Sequence, residues 1–360
     1  MAGNVFGTIF RLISYGESHG PAVGGVVDGC PAGLHLDLDQ VQVEVDRRRP
    51  GANPLGTART EADRIEWHSG LLDGVTLGTP IAFSVRNKDA RSSDYDALKD
   101  VFRPGHADLS WEQKFGIRDH RGGGRSSARE TLARVVAGGI ARQFLSNAGV
   151  RVDAFVTQVG DLRLDVDWDA LDTERTWVDS VRCPDPATAE RMTRLIEEVR
   201  ALGDTLGGTI GCRVMGIPPG CGEPVFDKLH ADLAKAMMSI NAAKGFQVGN
   251  GFAAAALRGS QNNDAFVGQG KGGTRTRTNR SGGVLGGISN GEAIEFETAF
   301  KPVSTVMRDR EGVDRGGDAV MLKAKGRHDP CVLPRAVPIV EAMTCLVLAD
   351  HLLRQRTSKA

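Results

Sequence analysis

Apolar residues recur at spacing four through Leu132, Val136, Ile140 and Phe144, which predicts a buried helix face near the middle of the chain. Ser127 and Glu130 ahead of it have the form of a capping box, and Asn147-Ala148-Gly149 supplies a stop. Over 185–202, Met192, Leu195, Ile196 and Val199 share one face with charges on the other, which predicts an amphipathic helix outside a sheet. Leu229, Leu233, Met237 and Ile240 predict another, from about Asp227 to Lys244-Gly245. A last helix is expected to begin near Pro338 and to run through Val340, Met343, Val347 and Leu348 to about Arg354. Residues 39–49 are ambiguous. Val41, Val43 and Val45 alternate as in a strand, but Asp39 as N-cap and the Pro50-Gly51 stop favour a helix.

Alternation and short apolar runs predict strands over 5–13, 24–27, 65–67, 79–85, 152–159, 208–216, 249–257, 292–300 and 320–324. Between them, 87–100 reads as a long exposed connection, 261–273 as a mobile polar loop and 308–318 as a charged loop. The glycine-dense stretch 278–291 fits either short strands whose backbone approaches a flat ligand or a tightly bent hairpin.

Composition adds limits. The chain of 360 residues can bury a large core. Lys and Arg (45) balance Asp and Glu (45), which argues against a broad nucleic-acid surface, so any anion site must be local. One such place stands out. Between Val101 and Arg142 there are eight Lys/Arg against four Asp/Glu, and Arg118, Arg121, Arg125, Arg129 and Arg134 surround Gly122-Gly123-Gly124 where the chain enters the central helix. A glycine loop feeding a helix N-terminus offers unpaired N–H groups and the positive end of the helix dipole. His19 and Ser18 sit in a second tight loop, Gly16 to Gly20, where an imidazole can exchange protons near neutral pH. Arg47, Arg48 and Arg49 close the first helix and could grip a phosphate or carboxylate.

Other chemistries lack support. There is no G-x-x-x-x-G-K-[ST] motif, no G-x-G-x-x-G after a buried strand, and no histidine pair at metal-ligand spacing. The six cysteines form no C-x-x-C pair and read as reduced, buried thiols. No secretory pattern and no run approaching roughly 20 apolar residues is seen, so a cytoplasmic protein is expected, with neither membrane nor nucleic acid as partner.

Six segments occur here in the order seen in one family: Gly16-Glu-Ser-His-Gly20, Asp46-Arg-Arg-Arg-Pro-Gly51, Arg103-Pro-Gly-His-Ala-Asp108, Arg121-Gly-Gly-Gly-Arg-Ser-Ser-Ala-Arg-Glu-Thr131, Met238-Ser-Ile-Asn-Ala242 and Gly326-Arg-His-Asp-Pro330. The chain resembles the chorismate synthases over nearly its whole length. The resemblance implies an α+β fold, a β-α-β sandwich with helices layered between antiparallel sheets, as a single catalytic domain over 1–360. It implies conversion of 5-enolpyruvylshikimate 3-phosphate (EPSP) to chorismate by 1,4-elimination of phosphate, the last common step towards the aromatic amino acids. That reaction requires reduced FMN without net redox change, and the family forms homotetramers.

By motif match, His19 would protonate the leaving phosphate and His106 the reduced flavin near N1. Asp329 would take the proton from flavin N5, with Ser18 and Ser127 as relays. Arg48, Arg49, Arg103 and Arg129 match substrate-binding positions. Arg125, Ser126, Ser127, Asn241, Ala242, Gly286, Lys301, Pro302, Val303, Ser304, Thr305 and Arg327 match flavin-binding ones. Residue chemistry agrees independently, since EPSP carries a phosphate and two carboxylates, FMN adds another phosphate, and holding both needs many bidentate arginines. No nicotinamide domain is recognisable, so a separate flavin reductase is expected, with NADPH acting only indirectly. Two departures stand out: Ala52-Asn53-Pro54 where many members have an arginine, and Val303 where a threonine is usual. The competing readings are an RNA-binding segment built on Arg121-Gly-Gly-Gly-Arg125 and a flavin-independent phosphoester hydrolase.

Overall fold

The strand expected over 5–13 is two strands. In the computed structural model, which describes residues 3–49, 51, 53–56, 62–88, 99–268, 273–322 and 329–359, Val5–Phe6 and Arg11–Tyr15 pair antiparallel around a turn. Asp350, near the other end of the chain, makes that turn: its Oδ1 accepts the backbone N–H groups of Thr8, Ile9 and Phe10. Ala22–Asp28, Ile81–Arg86 and Ile65–Trp67 complete a five-stranded antiparallel sheet. A second sheet has the order Leu162–Arg163, Arg151–Val159, Gly208–Met215, Ile294–Phe300, Ala243–Val248, again antiparallel throughout.

The helices are α1 (Leu38–Arg48), α2 (Asp108–Phe115), α3 (Thr131–Ser146), α4 (Pro186–Ala201), α5 (Leu229–Met238), α6 (Gly259–Asn262) and α7 (Leu333–Gln355). Helix α3 packs on the first sheet and on α7, α7 packs on the central strands of the second sheet, and α1 and α5 flank them. The architecture is thus the expected α+β sandwich with helices between antiparallel sheets. The ambiguous 39–49 segment is helical because Asp37, two residues before the expected cap, accepts the N–H of Gln40. Val41 and Val45 then face the core while Val43 is exposed, a helical rather than a strand pattern.

Helix α7 starts at Leu333, five residues before the expected Pro338, which lies inside the helix. By length and composition it could cross a membrane, yet the apolar window is wholly buried between α3 and the second sheet. Its polar residues are answered inside the fold. Glu341 Oε2 accepts from Arg142 at 2.7 Å and Oε1 from the N–H of Ala154, and His351 Nε2 lies 2.9 Å from Asp232 Oδ2. The α3–α7 crossing depends on Gly138, where a Cβ would stand 2.3 Å from Cβ of Ala342 and 2.4 Å from its Cα. Gly138→Ala is expected to force the helices apart and to lower unfolding stability by about 1–3 kcal/mol despite alanine's better helix propensity. An unchanged denaturation midpoint would show that the layer can yield.

Four expectations fail for tertiary reasons. Residues 249–257 are not a buried strand but an exposed 3-10 turn, Gly251–Ala256, with Phe252 80% exposed. Helix α5 stops at Met238, so that Ala243–Val248 can pair as an edge strand of the second sheet. Within 261–273 and 308–318 lie strands instead of plain loops. Phe266–Gly268 pairs with Thr274–Thr276, and Arg310–Asp314 with Ala319–Leu322 and Val101–Phe102. The 278–291 stretch resolves as a tight hairpin, Val284–Leu285 against Ile288–Ser289. All six cysteines are free and buried, and burial pushes the Cys331 thiol up to about 12.

Candidate active site

Gly122, Gly123 and Gly124 all have positive φ, so the chain turns there as only glycine does readily. Two short 3-10 turns, Gly124–Ser126 and Ala128–Glu130, then lead into α3. Ser127 caps the second turn by accepting the N–H of Arg129, but the expected capping box does not close, because Glu130 is drawn away to Arg134 at 3.0 Å. The missing Cβ atoms have a second use. A Cβ on Gly122 would lie 2.1 Å from His19 Cε1, and one on Gly123 3.0 Å from His106 Cε1. Two imidazoles far apart in sequence thus pack on adjacent residues of one loop.

Each ring is held by its own loop. Ser18 Oγ lies 3.1 Å from His19 Nδ1 and donates to Arg121 O. His106 Nδ1 lies 2.9 Å from Oδ1 of Asp108, a buried carboxylate that also takes a bidentate pair from Arg103. Burial alone would raise the Asp108 carboxyl; the hydrogen bonds from Arg103 and His106 outweigh it and hold it well below the usual carboxylate range.

The arginines come next. Arg48, 1% exposed, donates through Nε to Thr131 Oγ1 and through a terminal nitrogen to Ala128 O, both at the start of α3. Arg129 donates to Asn87 Oδ1 and, at 2.6 Å, to Asp63 Oδ1; Arg48 lies 3.6 Å from the other oxygen of Asp63. Asp329 is ion-paired with Arg335, whose Nε donates to Arg48 O. Asp63, Asn87 and Arg335 were not legible as site residues, since none stands in a motif or a periodic pattern that points to chemistry; Thr131 closes the glycine-loop motif, but nothing there pointed to Arg48 as its partner.

Of the flavin-matching positions, Ser126 O accepts from Asn241 Nδ2, Lys301 Nζ donates to Gly105 O beside His106, and Ala242 O accepts the N–H of Lys301. Ser304 packs by Gly105, Thr205 donates to Val303 O, and Pro302 and Thr305 belong to the same loop. Arg125 reaches from the glycine loop to Gly16 O and Ser14. Two positions are not brought in, and a third falls outside the described residues. Arg49 is half-exposed and turned to Asp46, Gly286 sits by the N-terminal end of α5 while Asn241 follows its C-terminal end, and Arg327 lies outside the described residues. Ser18 and Ser127 bond neither each other nor Asp329, so the expected relay is not a direct chain. Cavities of about 900 and 600 Å³ open on the outer side of the loop, both lined by Arg125, Ser126 and Trp111.

A sandwich whose buried helix layer ends in a glycine loop, with arginines and two imidazoles gathered on it, defines a site suited to small, multiply anionic molecules. The family model described as chorismate synthase matches residues 10–353. The chain is 53% identical over 359 residues to the chorismate synthase of Christiangramia forsetii, covering all of both chains, and 55% identical over 353 residues to that of Thermosynechococcus vestitus, covering 98% of this chain and 97% of the other. It is also similar to a crystal structure of chorismate synthase, with TM-score 0.78 and 30% identity over 97% of this chain and 93% of that one. The chain belongs to the chorismate synthase family.

Proposed function

We propose that the site at Gly122 and Gly123 carries out the family's reaction, the 1,4-elimination of phosphate from EPSP to give chorismate, with reduced FMN bound beside the substrate. The observation that carries this reading is the placement of His19 and His106 on adjacent glycines of an arginine-rich loop. Arg48, Arg103 and Arg129 bind the phosphate and carboxylates of EPSP. His19 holds a proton for the leaving phosphate, His106 holds one for the flavin at N1, and Asp329 is the base, reached through Ser18 and Ser127 with intervening water.

The residues present fit a flavin. Asn241 Oδ1 is buried without a hydrogen-bond partner beside Ser126, and Ala242 has φ 69°, which leaves a polar atom and a strained backbone for a ligand to meet. Arg125, Ser126, Asn241, Ala242 and the Lys301–Thr305 loop would hold it. When bound, reduced FMN would supply transient electron donation to the breaking C–O bond; position and charge come from the protein. The reading extends to one catalytic domain, since both sheets share the helix layer, and to a cytoplasmic homotetramer. Association is supported by Phe226, Phe252 and Phe266, large side chains left exposed.

The test is anaerobic turnover of EPSP with photoreduced FMN, compared with NADPH plus oxidised FMN. Chorismate and phosphate should form in equal amounts in the first arm, and none in the second if a separate reductase is required. Phosphate released without flavin would make the protein a hydrolase, and steeply salt-dependent RNA binding indifferent to FMN would favour the nucleic-acid reading. His19→Ala should recover part of its lost rate at lower pH, where solvent acid replaces the imidazolium. Without such recovery, His19 only positions the substrate.

A further inference from the structure

Asn87 is the first residue after the strand Ile81–Arg86, where the sequence reads only as the start of an exposed connection. The chain is still held to the first sheet there, since the Asn87 N–H donates to Pro21 O at 3.0 Å, one step beyond the pairing of Ala22 with Arg86. Its half-buried side chain joins two parts of the site. Nδ2 donates to Glu17 O at 3.0 Å and to Gly20 O at 2.8 Å, the two ends of the turn that carries Ser18 and His19 between them. Oδ1 accepts from Arg129 Nε at 2.8 Å.

We propose that Asn87 is a positioning residue that fixes the His19 turn relative to Arg129, so that a single amide sets both the imidazole beside the leaving phosphate and one of the guanidiniums that bind the substrate. Its orientation has no alternative. A carbonyl oxygen only accepts and the Nε–H of a guanidinium only donates, so the amide nitrogen must face Glu17 and Gly20 and the oxygen must face Arg129. Both amide hydrogens and the oxygen are thereby used. A second hold on the turn comes from the glycine loop: the Ser18 N–H donates to Gly124 O at 3.4 Å, and Ser18 Oγ donates to Arg121 O. The His19 turn is thus clamped between the first sheet, through Asn87, and the glycine loop, where the ring leaves no room for a Cβ on Gly122.

Two neighbours of Arg129 divide the work of holding it. Asp63 meets a terminal nitrogen at 2.6 Å and supplies counter-charge, whereas Asn87 is neutral and meets Nε, so it sets direction without changing the charge of the site. The position therefore calls for an amide. An aspartate would keep the acceptor for Arg129 but set an oxygen against two carbonyl oxygens, and an alanine would lose all three hydrogen bonds. Either change leaves the strand Ile81–Arg86 paired, because backbone groups make its bonds to both neighbours. The kinetic arm of the test rests on the roles proposed above for His19 and Arg129; the exchange arm rests on the hydrogen bonds alone.

The experiment combines backbone amide exchange of the FMN-loaded protein with double-mutant cycles in EPSP turnover. In Asn87→Ala, exchange of the Ser18 and Gly20 amides should quicken roughly tenfold, while that of the strand Gly208–Met215 stays as in the wild type. Alone, the change should lower kcat roughly tenfold or more, because a small displacement of a reacting group is costly, and raise KM for EPSP about threefold or more. In a His19→Ala background it should lower kcat by less than about twofold, and in an Arg129→Lys background it should leave KM within about twofold. A general loosening of the fold predicts the same losses in every background. Unmoved exchange in a folded Asn87→Ala overturns the proposal, and so do kinetic losses that simply add. Should Asn87→Ala fail to fold, the isosteric Asn87→Asp carries the same test, since it removes both donors to the turn. A wild type that forms no chorismate ends the reading of the preceding subsection instead, and the exchange arm alone then decides whether Asn87 holds the turn.

Discussion

His106→Ala should lose turnover by on the order of a hundredfold or more, while the fold survives and FMN affinity stays within about tenfold. The ring has no share in the apolar core. It packs edge-on over Gly123 and binds only its own loop through Asp108 and Arg103. Deleting it leaves Arg103 paired to Asp108 and Lys301 on Gly105 O, so the residues proposed to hold anion and cofactor keep their places. What disappears is the imidazole over Gly123, the proton source of the proposed mechanism. Single-turnover measurements with pre-reduced FMN under anaerobic conditions isolate that step. A rate near that of the wild type would end the proton-transfer assignment. Asp329→Ala should show a comparable loss of rate, but it also frees Arg335 from its partner, so its effect on folding must be measured alongside.

Asp63→Ala is expected to be the costliest single change to stability at the site. The carboxylate is buried between Arg129 at 2.6 Å and Arg48 at 3.6 Å, and both guanidiniums are themselves buried. Removing one partner from a buried ion pair leaves uncompensated charge, which costs about 3–5 kcal/mol. Asp63 also holds a left-handed φ of 44°, a conformation that asparagine tolerates better than alanine, so Asp63→Asn should be the milder variant. The same change lets Arg48 and Arg129 shift, so KM for EPSP should rise more than kcat falls. Urea unfolding and steady-state kinetics check both halves. If Asp63→Ala unfolds within about 1 kcal/mol of the wild type at unchanged KM, the two arginines are held by other groups.

Much of the framework was legible because local patterns and tertiary demands coincide. The face from Leu132 to Phe144 is buried as its spacing requires, and strands 151–159, 208–215 and 294–300 stand within a residue or two of their expected places. Gly122 to Gly124, read as a turn that lets a ligand approach, is indeed a run of positive φ. Where reading failed, a distant partner had overruled the local signal. Residues 5–13 look like one strand until Asp350 bends them, and Glu130 looks like half of a capping box until Arg134 claims it. Residues 249–257 are apolar enough for a core strand, but the neighbouring edge is already occupied by Ala243–Val248.

The site divides along the same line. Sequence alone determined the reactive types: imidazoles in glycine-flanked loops, arginines in excess around one helix start, and neither metal-ligand nor P-loop spacing. Those follow from composition and short-range order, which backbone chemistry expresses locally. Only the tertiary structure decided that His19 and His106 rest on neighbouring glycines, that Asp63 joins Arg48 to Arg129, and that Arg49 faces outwards. Such pairings span tens of residues and are selected when the helix layer closes between its two sheets. Burial then makes every unpaired charge costly and settles which carboxylate each guanidinium meets.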